Sequence, residues 1–177
     1  MNSRQLATQA IKGDSAAFIQ LVKEHESSLY YMARSILRQD ADVADVLQET
    51  ILKAFKSISA LREPKHFKTW IFRILINECN SFLAGRSRSV SYADVPNVAS
   101  TPGDYDHIDL REAVDRLEEP QRMVIILFYF EDLPLRQVAE VLGLSESAVK
   151  MRLSRARETL LRNFTIPTKG EISYESI

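Results

Sequence analysis

Ser147, Lys150, Met151, Ser154 and Arg155 lie in the stretch LPLRQVAEVLGLSESAVKMRLSRARETLLR, residues 133–162. On a helix, spacings of three and four place them on one face, with Arg152 and Arg157 on its flanks. Such a face carries the donors that reach guanine acceptors and phosphate oxygens in a major groove. Ser145–Arg162 holds five Lys/Arg against Glu146 and Glu158, a local charge of +3. The opposite side, Val149, Leu153, Ala156 and Leu160, has the apolar spacing of a core face. Before it, Val138, Ala139 and Leu142 form a shorter apolar face. Gly143 can take the positive φ of a sharp helix exit, and Ser145 suits the next N-cap. This is helix-turn-helix spacing. The bland alternative is a solvated basic face, but charge, turn and core spacing together favour DNA binding.

A second candidate face lies upstream. Lys65–Arg88 carries five basic residues against Glu78, a charge of +4. Trp70, Arg73, Asn77 and Asn80 follow at helical steps beside a basic loop, equipment suited to holding unpaired bases. The same pattern also fits a core Trp70 with solvated amides, and the residues alone do not choose. A third face, Asp45, Gln48, Glu49, Leu52 and Phe55, mixes carboxylates with large apolar groups.

Catalytic chemistry is not indicated. His25, His66 and His107 are far apart, with no pair at metal-ligand spacing, and Cys79 falls on an apolar face. Glu118-Glu119 reads as a helix-terminus charge pair, and no glycine-rich phosphate loop occurs. No enzyme activity, metal or cofactor is expected.

The elements that must position these faces are helical. The 177 residues are 45% hydrophobic and 27% charged, and five Gly and six Pro favour helices over strands and turns. The formal charge of −1 hides basic helices separated by acidic stretches, so the chain should bind DNA weakly alone and depend on a partner. The lone Cys79 suits a reducing cytoplasm. No apolar run follows Met1-Asn2-Ser3-Arg4, so neither a signal peptide nor a membrane insertion is expected.

Periodicity predicts a short helix over 4–12 ended by Gly13, with Asp14 or Ser15 capping the next helix, 17–37. Asp40-Ala41-Asp42 supplies a break and cap before a helix over 43–58. Leu61–His66 reads as a loop, and a helix from Phe67 runs to about Ala84, stopped by Gly85. Ser- and Pro-rich residues 87–107 read as a flexible linker. An acidic stretch, 104–119, forms a short helix ending near Leu117, and Gln121–Phe130 forms another beneath the helix-turn-helix. The expected fold is all-α. Two small, separately packed helical domains, 1–86 and 108–165, are joined by the linker, with a loosely packed tail, 166–177.

Four stretches occur together in one family: Gly13-Asp14-x-x-Ala17-Phe18, DVLQETILKAFKSI, FKTWIFRILINECNSFL and LEEPQRMVIILFYFEDLPLRQVAEVLGLSESAVKMRLSRARETL. In order and spacing the chain resembles bacterial sigma factors of the extracytoplasmic-function class, which keep regions 2 and 4 of the sigma-70 family. The resemblance implies an alternative sigma factor that directs promoter-specific transcription initiation. Asp45, Gln48, Glu49, Leu52 and Phe55 would dock on the clamp helices of the largest subunit of core RNA polymerase. Leu61, Arg62, Lys65, Trp70, Arg73, Asn77 and Asn80 would capture, read and melt the −10 element. Ser147, Lys150, Met151, Arg152, Ser154, Arg155 and Arg157 would read the −35 element. The C-terminal domain would also contact the β-subunit flap. A cognate anti-sigma factor, often membrane-anchored in this family, would hold the protein inactive. A stand-alone repressor with a helix-turn-helix is the main rival, but it has no need of the acidic-apolar face on 43–58.

Overall fold

A computed structural model of the chain describes residues 2–89 and 110–164, and among these every regular element is helical. Asn2 opens α1 (Ser3–Ile11) with a reciprocal capping box to Gln5. Gly13, at φ 101°, turns the chain into α2 (Ser15–Leu37). The Asp14 carboxylate caps α2 by accepting from the N–H groups of Ala16 and Ala17 at 2.9 and 3.1 Å. The next break falls earlier than expected. Arg38 leaves α2 in the left-handed region at φ 65°, and α3 (Asp40–Ser57) starts at Asp40. Asp40 and Asp42 therefore sit inside the first turn of α3, where their charge complements the helix dipole.

Short 3₁₀ turns at Ile58–Ala60 and Pro64–His66 carry the chain into α4 (Phe67–Ser89). The helix runs through Gly85 instead of stopping there. Nothing lies within 4 Å of a Cβ built at that glycine, so no packing forces an exit. Gly costs a helix only about 1 kcal/mol relative to Ala, and Arg86 ties the last turns to Asp42 of α3 at 2.8 Å. Residues 87–89, expected as linker, are thus helical; the rest of the expected linker and the tail lie outside the described residues.

The C-terminal half comprises α5 (Leu110–Asp115), α6 (Glu119–Ile125), α7 (Leu135–Leu142) and α8 (Glu146–Phe164). The single helix expected over 121–130 changes character midway. After Ile125 it widens into a π-type segment, Ile126–Phe130, closed where the Glu131 N–H donates to Ile126 O at 3.0 Å. Such widened turns insert an extra residue and re-aim side chains. Here Tyr129 points to solvent, 49% exposed, while Phe130 turns back toward Tyr31 of α2 at a ring separation of 6.1 Å.

Each half has its own packed interior. Leu6, Leu21, Leu29, Met32, Ile71, Phe72 and Leu75 are buried among α1, α2 and α4, and Val124, Leu127, Val138, Val149 and Leu153 among α6–α8. Burial of such a side chain contributes about 1.5–3 kcal/mol relative to exposure. The expectation that the halves pack apart is corrected, because their buried side chains form one continuous cluster. The contact runs along α2 against α6 and α4 against α7. Its polar partners are residues that sequence periodicity treats as solvated.

Candidate nucleic-acid and partner interfaces

The helix-turn-helix forms as its spacing requires. Gly143 adopts φ 64° as the left-handed cap of α7, and Ser145 Oγ accepts from the Ala148 N–H at 3.1 Å to open α8. Val149, Leu153 and Ala156 are buried, which turns Ser147, Lys150, Met151, Ser154 and Arg155 outward into solvent. Met151, 52% exposed, gives this basic face an apolar spot of the kind that meets a thymine methyl. The other predicted readers are less free. Arg152 is half-buried. Arg157 donates through Nε to the Tyr129 hydroxyl at 2.8 Å and stacks over that ring. Ser154 Oγ donates to Glu158 at 3.3 Å.

On α4, Arg73, Asn77 and Asn80 are all exposed along one side. Trp70 is half-buried and tilts against Phe67 with ring centroids 5.8 Å apart. Arg62 and Lys65 are exposed in the preceding loop. Leu61 departs from its expected place: it is 8% exposed and belongs to the core. Its N–H closes the 3₁₀ turn on Ile58 O at 3.0 Å, and its side chain joins the same apolar cluster as Ile58 and Phe67.

The third face is intact. Asp45, Gln48, Glu49, Leu52 and Phe55 are all exposed on α3, because Val43, Val46, Thr50 and Ala54 take the buried side. Phe55 leans edge-on against Phe18 of α2 at 5.2 Å. Between the two helices runs an apolar groove of about 520 Å³, with Phe18, Val22, Leu29, Leu47, Ile51 and Leu52 among its lining. Ile19, 55% exposed, extends this surface onto α2. It could have been found as an apolar residue off the α2 core stripe.

Sequence reasoning did not anticipate the junction between the halves. Arg122 of α6 is 1% exposed. Its Nη1 donates to Leu117 O at 2.6 Å and Asp115 O at 3.0 Å, and its Nη2 crosses to Ser35 O at 2.6 Å. Burial depresses its pKa, reinforced by the charge of Arg38, while Glu119, Asp115 and Tyr31 oppose the shift. Lys68 of α4 donates to Glu131 O at 2.6 Å and pairs with its buried carboxylate at 3.0 Å. Thr69 Oγ1 donates to Gln137 Oε1 at 2.7 Å. The Tyr31 hydroxyl donates to Asp115 at 3.2 Å, and its pKa is pushed up to about 12, by burial first and then by that carboxylate.

Among the described residues no group of His, Cys, Asp and Glu could hold a metal ion. His25 Nδ1 lies 2.9 Å from Leu21 O and its ring packs on Phe67, a local structural role. Cys79 is fully buried and burial pushes its thiol up to about 12. It should resist a disulfide-exchange thiol reagent at pH 8 in the folded chain and react on unfolding, because the thiolate is the attacking species. The unfolded thiol ionises near its ordinary 9.0, so the stability contributed by the protonated thiol is present below that pH. It declines as pH rises toward the folded value. Rapid labelling of the native chain would contradict the burial.

Two family patterns match the chain: the one described as Sigma-70 region 2 covers residues 21–89, and Sigma-70, region 4 covers 107–160. The chain is 33% identical over 144 residues to RNA polymerase sigma factor SigV of Bacillus subtilis, spanning 80% of this chain and 87% of that one. It is 30% identical to ECF RNA polymerase sigma factor SigM of Mycobacterium tuberculosis, across 89% and 82% of the two chains. Among solved structures, CnrH in complex with the cytosolic domain of CnrY is similar at a TM-score of 0.64 and 31% identity, covering 90% of this chain and 95% of that one. The sigma factor RpoE in complex with the anti-sigma factor NepR, from Bartonella quintana, is similar at a TM-score of 0.69 and 27% identity, covering 85% and 98%.

Proposed function

This chain belongs to the sigma-70 family of RNA polymerase sigma factors, in the extracytoplasmic-function class, and from that premise we propose how its surfaces divide the work. It is an alternative sigma factor that binds core RNA polymerase and directs promoter-specific initiation. Residues 1–86 form the region 2 unit and 108–165 the region 4 unit. The chemistry of RNA synthesis belongs to the core enzyme, and this chain contributes recognition without a catalytic step of its own. It works in the cytoplasm, where polymerase and promoter are; no described helix is long and apolar enough to cross a membrane.

The observation that carries the docking assignment is the exposed Leu52 and Phe55 on α3, 45% and 48% exposed, ringed by Asp45, Gln48 and Glu49. Contiguous exposed apolar surface with a polar rim marks a partner site, and a stand-alone repressor has no use for it there. We assign it to the clamp helices of the largest polymerase subunit. Arg62, Lys65, Trp70, Arg73, Asn77 and Asn80 then serve the −10 element. Leu61 supports that loop from within the core. The outward face of α8 serves the −35 element, and the C-terminal half also meets the β-subunit flap. CnrH is described with the cytosolic domain of CnrY and RpoE with the anti-sigma factor NepR, which supports a cognate anti-sigma factor, membrane-anchored or soluble, covering these surfaces.

Glu49→Lys reverses one rim charge on a solvent-exposed helix face. It should leave the fold intact and weaken binding to core polymerase by roughly tenfold, about 1.4 kcal/mol. Co-elution with core at a series of concentrations reads this directly. Undiminished binding would mean that the face is misassigned.

A further inference from the structure

We propose that Tyr129 is a positioning residue for upstream-element binding: it holds the Arg157 guanidinium on the flank of α8, where it takes a backbone phosphate of the duplex. The inference rests on the assignment of α8 to the −35 element. It gives Arg157 a phosphate to hold in place of a base to read.

The place of Arg157 on its helix separates it from the base readers. Val149, Leu153 and Ala156 are buried, and at about 100° per residue Arg157 falls beside that stripe rather than opposite it. It is exposed, and Lys150 lies two turns earlier on the same flank. Arg157 also stands about three turns into α8, which opens at Glu146. The first residues of a recognition helix meet the base edges, so a cation on the flank further along faces the phosphate strand that walls the groove. Such contacts fix the register of the protein and carry no sequence information.

What holds Arg157 is a hydroxyl and a ring, not a carboxylate. Nε donates to the Tyr129 hydroxyl at 2.8 Å, and the guanidinium carbon lies 5.8 Å from the ring centroid. The Tyr129 ring itself packs edge-on with Phe128 at 4.9 Å. Among the described residues Arg157 has no other hydrogen bond or ion pair, so both Nη groups keep their donors and the charge is not quenched. Arginine has large rotamer entropy, and fixing it beforehand removes that cost from binding. The hydroxyl is delivered by the widened Ile126–Phe130 segment, a rare kind of turn that is frequent at functional sites. Met123 to Leu127 are buried, yet two residues later Tyr129 emerges 49% exposed. An exposed hydrogen bond and cation–π contact stabilise the free chain little. DNA binding is the state in which ordering Arg157 counts.

The test is a double-substitution cycle, Tyr129→Phe with Arg157→Gln, in the full chain assembled with core polymerase. Binding is measured over a series of salt concentrations to a duplex carrying the upstream element of a promoter it starts from. Tyr129→Phe keeps the ring and removes only the acceptor. It should weaken binding about threefold in the parent and leave the Arg157→Gln chain unchanged. Arg157→Gln should lower the slope of log affinity against log salt by about 0.9, one phosphate contact, and weaken duplexes with altered bases equally. A purely structural contact would give Tyr129→Phe the same loss in both backgrounds, and that result overturns the proposal. So does an Arg157→Gln effect confined to one base position. Arg155→Ala is the reference. If neither it nor the other two changes weakens upstream binding, the assignment of α8 fails, and this proposal with it. If Arg155→Ala weakens binding while Tyr129→Phe and Arg157→Gln do not, this proposal alone is wrong.

Discussion

Asn77→Ala is expected to abolish most promoter opening while binding to the upstream duplex survives, and Arg155→Ala is expected to do the reverse. Both side chains are exposed on their helices, clear of the buried Ile71, Leu75 and Cys79 on α4 and Val149, Leu153 and Ala156 on α8. Neither change should cost measurable stability. If Arg155 reads a base edge, its loss should remove about 1–3 kcal/mol of binding, roughly a 5- to 150-fold drop, and relax preference at one position of the upstream element. Asn77 presents an exposed amide on the same helix side as the exposed Arg73, with the half-buried Trp70 two turns back, a combination suited to an unstacked base. Its effect should appear in the opening step, read by permanganate reactivity of the downstream element with core present. Should Arg155→Ala block melting while sparing upstream recognition, the two halves have been given each other's roles.

Arg122→Ala is expected to lower folding stability by about 2–4 kcal/mol, since it removes a fully buried side chain and strips hydrogen bonds from three carbonyls. Two of them, Asp115 O and Leu117 O, lie at the end of α5 and in the turn that follows it, so that segment should lose protection from hydrogen exchange first. The third, Ser35 O, belongs to α2, and the same change therefore loosens the junction. Denaturant unfolding with Arg155→Ala as the exposed control reads the difference. An unfolding free energy within about 0.5 kcal/mol of the parent would mean that water substitutes for the guanidinium, and that the hydrogen-bond geometry overstates its role.

Most of the helices were legible because burial in a helical chain leaves a periodic trace. Phe67, Ile71, Leu75 and Cys79 repeat at four-residue steps and are buried together. Gly143 and Ser145 fix the helix-turn-helix because few residue types serve those two backbone positions. The misplaced ends have equally local causes. Arg38 adopts the left-handed exit that a glycine or asparagine would advertise, and Gly85 looks like a stop but meets no packing that enforces one. The exposed faces were legible as the complements of buried ones, whereas Leu61 lies outside any long periodic run and entered the −10 set only through the family resemblance, which carries no signal of its burial.

The junction was not legible. Thr69, Gln137 and Glu131 are polar, and in sequence nothing separates a polar residue that meets solvent from one that meets another helix far along the chain. Arg122 stands immediately before an apolar run, where a long cation more often snorkels outward. Its burial follows only from three carbonyls that tertiary packing brings to one place.

The central claim is that this chain confers promoter-specific initiation on core polymerase. The measurement that tests it most directly is transcription reconstituted from purified chain, core enzyme and a fragment library of the host genome, with transcript 5′ ends sequenced. The account predicts a small set of start sites that share one upstream and one downstream element, present only when the chain is added and lost with Glu49→Lys. Start sites unchanged by the chain, or a chain that binds such fragments tightly without core and never initiates, would contradict it.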